Sequence, residues 1–251
     1  MNGPPEPELS DFLRRFIEEA PRARRPTLAF VQRLAASLSP GACVIDVGAG
    51  NAPFRELFRH VSYLTCDWEN SLYRPPIPPD IRAPANKLPL EDACIDAILS
   101  TDVLEHVADP ASVLREFHRV LKPGAPVWLT VPFVWYLHEQ PYDYFRYTSH
   151  GLRLLLENAG FANIDITPLS DAFSTVAQLT GDLGWMMGRA QDQYDAQREI
   201  IARVMKAIAE VISSFSDFDT QWILPVEYSV IAYAQPPQVA SQPPEGGETL
   251  C

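Results

Sequence analysis

Cysteine is scarce in this sequence, and what there is follows no pattern: Cys43, Cys66, Cys94 and Cys251 form no Cys-x-x-Cys pair and share no metal-ligand spacing with the five histidines. A zinc ribbon and a disulfide scaffold are excluded. No metal site is expected, and the thiols read as buried side chains in a reducing compartment. Long apolar runs are missing too, since no uncharged stretch approaches the roughly 18 residues that would suggest a membrane span. The opening MNGPPEPELSDF is acidic and proline-rich where a secretory signal would be basic and then apolar. The expectation is a cytoplasmic chain without a transmembrane segment. Basic charge is also in deficit: 20 Lys and Arg against 32 Asp and Glu leave a formal charge of −12. Gripping a phosphate backbone would mean overcoming the protein's own field, so no nucleic-acid partner is expected.

What is present is the composition of a self-sufficient folded chain. With 251 residues, 47% hydrophobic and 21% charged, it can bury a core without staples, and one elaborated α/β domain is expected. The 24 prolines cluster at 4–7, 75–79 and 236–244, which marks tails and one long loop. Residues 1–40 read as a tail followed by two helices. The first carries Leu9, Phe12, Leu13, Phe16 and Ile17 on one stripe behind Ser10 as N-cap, and the second, at 27–38, carries Leu28, Val31 and Leu34. Arg22, Arg24 and Arg25 between them read as a solvated linker or a small anion-holding knot.

From residue 41 to 170 the period changes. CVIDVG, SYLTCD, DAILSTD and VWLTVPF are short runs dense in β-branched and apolar residues, and helical patterns lie between them at 54–59 and 110–121. Helix 149–159 and a strand at 163–168 follow. This alternation predicts a doubly wound, mostly parallel sheet with helices on both faces. Residues 171–224 read as a helical insertion, 225–235 as the last strand and 236–251 as a disordered tail. Within the insertion, Ile200, Ile201, Val204, Ile208, Val211, Ile212 and Phe215 line one side of a helix. The expectation is that this side packs on the sheet or on the N-terminal helices, with a lid, a homodimer face or a surface touching lipid as alternatives.

The densest signal is Val44-Ile45-Asp46-Val47-Gly48-Ala49-Gly50, a strand ending in an acid and two glycines before a helical start at Pro53-Phe54. Glycine at 48 and 50 lets the chain turn with no Cβ in the way, so backbone N–H groups are expected to face a ligand over the strand end. A nicotinamide fingerprint would need a third glycine where Pro53 stands, and no Tyr-x-x-x-Lys pair is present. Asp67 closes the next strand, where an acid can accept both hydroxyls of a ribose. Alone, it would more often cap a strand–loop junction, but it follows Gly48 by 19 residues, the spacing at which such an acid meets a ribose.

VIDVGAGNAPF, then LTCD, then NKLPLEDACIDAILSTDVLEHVADPASVLREFHRVLKPGAPVWLTVPF together resemble the class I S-adenosylmethionine-dependent methyltransferases of the type 11 family, over roughly residues 42–168. The resemblance implies a seven-stranded Rossmann-like sheet whose last strand is antiparallel, with the cofactor S-adenosyl-L-methionine across its carboxyl ends. It places Gly48, Ala49 and Gly50 beneath the methionine part of the cofactor, Asp46 behind the loop, and Asp67 on the ribose. Pro84 stands where the family usually has an adenine-binding acid, so the adenine is given to backbone around Ala85 and Asn86, with Leu88 or Trp68 over a ring face. Thr101 and Asp102 are expected to face the sulfonium.

For the acceptor, His138 is the first choice as base, because it opens the loop YLHEQPYDYFRYTSHGL after a strand and overhangs the carboxyl face. His106 is read as structural. Asp143 and Arg146, among Tyr142, Tyr144 and Tyr147, either meet a polar ring compound or bridge each other within the loop. The PYDYFRYT string is similar to one in methyltransferases of glycan pathways, which inclines the reading toward O-methylation of a small-molecule or glycan acceptor. The alternative is a catalytically inactive, methyltransferase-like binding subunit. STDV stands where a nucleic-acid methyltransferase would carry an Asn/Asp-Pro-Pro-aromatic motif.

Overall fold

The computed structural model describes residues 10–19, 21–68, 78–189 and 195–236. The proline-rich segments at 4–7, 75–77 and 237–244, together with Leu9 and Cys251, lie outside these. Among the described residues six α-helices and seven strands follow one another as α1 (Asp11–Glu19), α2 (Pro21–Ser37), β1 (Cys43–Val47), β2 (Ser62–Asp67), β3 (Ile81–Arg82), β4 (Ala97–Thr101), α3 (Pro110–Val120), β5 (Pro126–Pro132), α4 (Ser149–Asn158), β6 (Phe161–Pro168), α5 (Ala172–Arg189), α6 (Asp195–Ser213) and β7 (Glu227–Ala234).

The strands form one sheet in the order β3-β2-β1-β4-β5-β7-β6. β7 runs antiparallel to both β5 and β6, and the other pairings are parallel. The doubly wound, mostly parallel seven-stranded sheet expected from the alternation and the resemblance is therefore present. Its chain order reverses between β1 and β4, the position at which open α/β sheets leave a crevice for a ligand. The sequence pattern missed β3, whose two residues are too few to show a period.

Alternation along β1 divides the core. Ile45 and Val47 join Leu114, Phe117, Leu152 and Leu156 under α3 and α4. Val44 faces the other way, to Leu28, Val31 and Leu34 of α2 and Leu13 and Ile17 of α1. α3 begins where Asp109 caps it, accepting from the Ser112 N–H at 3.1 Å. α2 begins earlier than the sequence suggests. Pro21 opens it, as proline does well in a first turn, so Arg22, Arg24 and Arg25 sit on a helix rather than in a linker.

The α6 stripe does not pack on the sheet, which corrects the expectation above. Ile200, Val204, Ile208 and Val211 are exposed, Ile200 and Val211 to 61% each. Against α5 the helix turns a narrower seam that includes Met205 and Ala202, close enough that a Cβ at Gly184 would lie 2.8 Å from the Met205 Cβ. Small residues at that crossing bring the two backbones together and rotate the large aliphatic side chains outward. None of the described helices is long and apolar enough to cross a membrane.

Candidate active site

Two cavities open side by side over the carboxyl ends of β1, β2, β4 and β5. One, of about 320 Å³, is bounded by Asp67, Trp68, Ala83, Pro84, Ala85 and Asn86. The other, of about 460 Å³, is bounded by Ala49, Gly50, Thr101, Glu105, His138 and Glu227, among others. Gly48, Asp102, His106 and Glu139 border both.

The glycine turn is required by contact as well as by conformation. Gly48 has φ +76°, and a Cβ built on it would lie 2.2 Å from Val103 Cγ2. Bare backbone at this point keeps the floor of the cleft open. The amides of the turn, however, are already engaged, which corrects the expectation that they face a ligand. Gly48 N and Ala49 N both donate to the Cys66 carbonyl, at 2.8 and 3.1 Å. Gly50 N donates to Asp67 Oδ2 at 3.0 Å, and Trp68 N to Asp67 Oδ1 at 2.8 Å. Asp67 thus holds the turn while its carboxylate borders the smaller cavity. The Trp68 ring stands edge-on to Tyr142, with centroids 5.1 Å apart, and closes that cavity's side.

Asp46 stands behind the turn, as expected, and Leu88 lies away from both cavities. Asp46 borders neither cavity; its Oδ2 accepts from the Tyr63 hydroxyl, and burial pushes its carboxyl up to about 7. Leu88 is buried in the core, and its N–H donates to Glu116 Oε1 at 2.7 Å. Asn86 borders the smaller cavity as expected, and its amide donates to Ser112 Oγ at 3.3 Å.

The larger cavity has an acidic floor. Asp102 stands just past β4 at φ +53° and accepts from Thr130 Oγ1 at 3.0 Å. Glu227, at the start of β7, accepts from Thr27 Oγ1 of α2 at 2.5 Å. Burial raises both carboxyls, and the neighbouring charge of Asp102 pushes Glu227 further above the usual carboxylate range. Glu105 lies beside them, fully buried, and burial followed by the charge of Asp102 pushes it well above the usual carboxylate range.

His138 borders this cavity, as the sequence suggests, but Asp143 and Arg146 border neither cavity. They bridge each other. Arg146 Nη1 meets Asp143 Oδ1 at 2.6 Å and Nη2 meets Oδ2 at 2.8 Å, while the guanidinium also donates to the carbonyls of Trp135, Tyr136 and Phe145. With its charge paired in this way, the Arg146 guanidinium holds the Asp143 carboxyl well below its ordinary value. The pair sets the loop and positions His138, whose N–H donates to Asp143 Oδ2 at 2.9 Å and whose Nδ1 lies 3.3 Å from the same oxygen. Tyr147 donates to the Leu104 carbonyl at 2.8 Å from a buried position, whereas Tyr144 is 46% exposed.

The sequence reading missed Glu105, Glu227, Thr27 and Arg24. Arg24, from the supposed linker, borders the cavity mouth over the Phe16 ring, 4.2 Å from its centroid. Glu105 had a signal in the LEHV string beside His106. Glu227 and Thr27 had none, since they meet only when the first helices and the last strand close on the sheet.

Residues 45–129 match a family model described as a methyltransferase domain. A 37.1 kDa protein in a transposon of Streptomyces fradiae is 31% identical over 139 residues, 49% of this chain and 38% of that protein. Phosphoethanolamine N-methyltransferase 1 of Zea mays is 29% identical over 97 residues, 35% of this chain and 19% of that enzyme. The chain therefore spans well under half the length of these relatives. Among solved structures, an S-adenosylmethionine-dependent methyltransferase from Archaeoglobus fulgidus superposes with a TM-score of 0.52 at 17% identity, covering 89% of this chain and all of that one. The residues around the smaller cavity fit the nucleoside that this family uses, with bare backbone at Gly48, a carboxylate at Asp67 and an aromatic wall at Trp68. Residues 45–129 thus match a methyltransferase domain, within a fold shared with an S-adenosylmethionine-dependent methyltransferase.

Proposed function

We propose that this protein transfers the methyl group of S-adenosylmethionine to a hydroxyl oxygen of a small-molecule or glycan acceptor. The observation that carries the reading is the pair of cavities meeting at Gly48, Asp102, His106 and Glu139: one has the lining of a nucleoside site, and the other has room for a second molecule. Bound across them, the cofactor supplies an electrophilic methyl group on a sulfonium. Asp67 accepts from the ribose hydroxyls, Trp68 and the backbone at 84–86 enclose the adenine, and the Asp102 carboxylate favours positive charge at the junction.

On the acceptor side His138 does the orienting chemistry. Asp143 Oδ2 and the Tyr136 carbonyl lie 3.3 Å from its Nδ1, and Arg146 Nη2, whose hydrogens go to Asp143 and Tyr136, lies 3.4 Å away; the two acceptors favour the proton on Nδ1, which leaves the lone pair on Nε2. A hydroxyl placed there gives its proton to Nε2 as its oxygen attacks the methyl carbon. The walls exclude water and align the two reactants, which is most of what an in-line methyl transfer asks of a protein. A reducing, cytoplasmic setting belongs to the same reading, with Cys43, Cys66 and Cys94 as free thiols.

The test is calorimetric titration with S-adenosylhomocysteine, followed by a scan of sugars, phenols and other hydroxylated acceptors for S-adenosylhomocysteine release. Binding and turnover with a hydroxyl acceptor are expected. Heat from a pyridine dinucleotide and none from S-adenosylhomocysteine would overturn the proposal.

A further inference from the structure

We propose that Glu105, His106 and His138 form a binding site for a divalent first-row transition-metal ion in the wall of the larger cavity. One donor atom from each lies within 4.8 Å of the other two. The donors come from two segments, the turn after β4 and the loop after β5, which the parallel β4–β5 pairing sets side by side. The histidines and cysteines show no such spacing in the sequence; the fold supplies it.

The buried carboxylate is the independent sign of a ligand. Glu105 is 0% exposed and borders the cavity, and among the described residues neither Oε1 nor Oε2 has a hydrogen-bond partner. Buried carboxyl oxygens left without a donor are costly, and a buried carboxylate is ordinarily paired or bound to a metal. The neighbours already lean the same way: His106 Nε2 is 3.7 Å from Glu105 Oε1 and 3.9 Å from Glu139 Oε2. Ligands about 2.1 Å from a shared ion stand roughly 3.0–3.5 Å from one another, so small side-chain rotations close the site.

Both imidazoles are oriented as metal ligands ordinarily are. His106 Nδ1 is 2.8 Å from the Tyr142 carbonyl, which fixes the proton there and leaves the Nε2 lone pair facing Glu105. His138 has a carboxylate and a carbonyl at its own Nδ1, as described above. A hydrogen-bonded outer nitrogen on each ring is the arrangement that fixes tautomer and raises basicity at metal centres. Two imidazoles and one carboxylate select zinc, manganese, iron or cobalt over magnesium, and three ligands leave coordination positions open to the cavity.

Binding of the ion stands on these residues alone; its use toward an acceptor oxygen rests on the methyl-transfer reading. With the ion in place, the His138 Nε2 lone pair is a ligand. The acceptor hydroxyl, polarised by the ion, then gives its proton to the Glu139 carboxylate instead.

The experiment titrates the chelator-treated full chain with Zn²⁺ by calorimetry and with Mn²⁺ by electron paramagnetic resonance. One ion per chain is expected. Glu105→Gln and His138→Gln should each weaken binding at least tenfold, while His118→Gln, on the far helix α3, should leave it unchanged. Glu105→Gln should also raise the melting temperature of the metal-free chain and abolish the rise that Zn²⁺ gives the wild type. Should that variant fail to fold, His138→Gln, whose imidazole stands on a loop, decides alone. No bound ion, or wild-type affinity in the variants that fold, overturns the proposal. Titration of the same samples with S-adenosylhomocysteine keeps the two readings apart: its failure sinks the methyl-transfer reading and leaves the ion site standing, and failure of the ion titration does the reverse.

Discussion

On the side of the cleft proposed for the nucleoside, Gly48, Asp67 and Trp68 stand at the tips of two neighbouring parallel strands. On the side proposed for the acceptor, Glu105, His138, Glu227 and Thr27 come from four separate segments, and Thr27 and Glu227 are joined across most of the chain. In the first half the amides of the turn are satisfied internally, donating to Cys66 and Asp67. In the second half Glu105 is buried with neither carboxyl oxygen hydrogen-bonded, while Asp102 and Glu227 each accept from a threonine. A self-satisfied pocket can wait rigidly for a ligand it shares with a whole family. One with unpaired groups is tuned to whatever completes it, and that partner can differ from one relative to the next.

The contrast can be broken most sharply at His138. Replacing it with Asn should lower turnover by about 10²–10⁴, the range of a positioned proton acceptor, while leaving the S-adenosylhomocysteine dissociation constant within about twofold. Stopped or continuous assays with an acceptor found by the scan, alongside calorimetry, would check both halves. An unchanged rate removes His138 from the chemistry. Asp67→Ala should do the opposite, weakening nucleoside binding about ten- to a hundredfold through loss of hydrogen bonds to a charged acceptor. Unchanged affinity in calorimetry would remove the ribose role.

Asp46 behind the turn sharpens the comparison through pH. Its carboxyl sits at about 7 in the folded chain against an ordinary 3.8, so the folded state holds more protons between those values. Stability from this group is therefore lost as pH rises from about 4 through 7. Asp46→Asn should flatten that decline by roughly 2–4 kcal/mol, read as the difference in melting behaviour between pH 5 and pH 8. Asp143 works in the other direction: paired with Arg146 and held below its ordinary value, it contributes stability above that value and loses it in acid. Asp143→Asn should therefore lower the melting temperature at neutral pH and flatten the acid-side decline, the difference from wild type vanishing in strong acid. The smallest effect is expected at the aromatic wall, where Trp68→Ala should cost about 2- to 10-fold in nucleoside affinity, the size of an edge-on ring contact.

The sheet and the turn that Gly48 and Asp67 build were largely legible in the sequence because their signals are local. The runs CVIDVG and SYLTCD mark strands by β-branched density, and Gly48 and Asp67 fall at their ends. Two local inferences still failed for physical reasons. The amides of the glycine turn point back to β2, and Leu88 packs in the core while its backbone is tied to Glu116. The acceptor half depends on side chains whose neighbours are set by tertiary closure. Nothing in the sequence near residue 227 announces that Thr27 will donate to it. The α6 stripe shows the same limit, because periodicity revealed an apolar side and the small-residue seam with α5 decided which way it faces.

The hydrogen bond from Thr27 to Glu227 ties the second helix to the opening of the final strand, so the two extremities of the folded body finish the same chamber. A fragment trimmed to residues 45–129, the part that matches the family model, would keep the turn at Gly48 and the acid at Asp67. It would lack His138, the acid at 227 and both opening helices. Without α1, α2, α4, β6 and β7 such a segment would also uncover both faces of the sheet, so the chamber proposed for the acceptor can be built only by the longer chain.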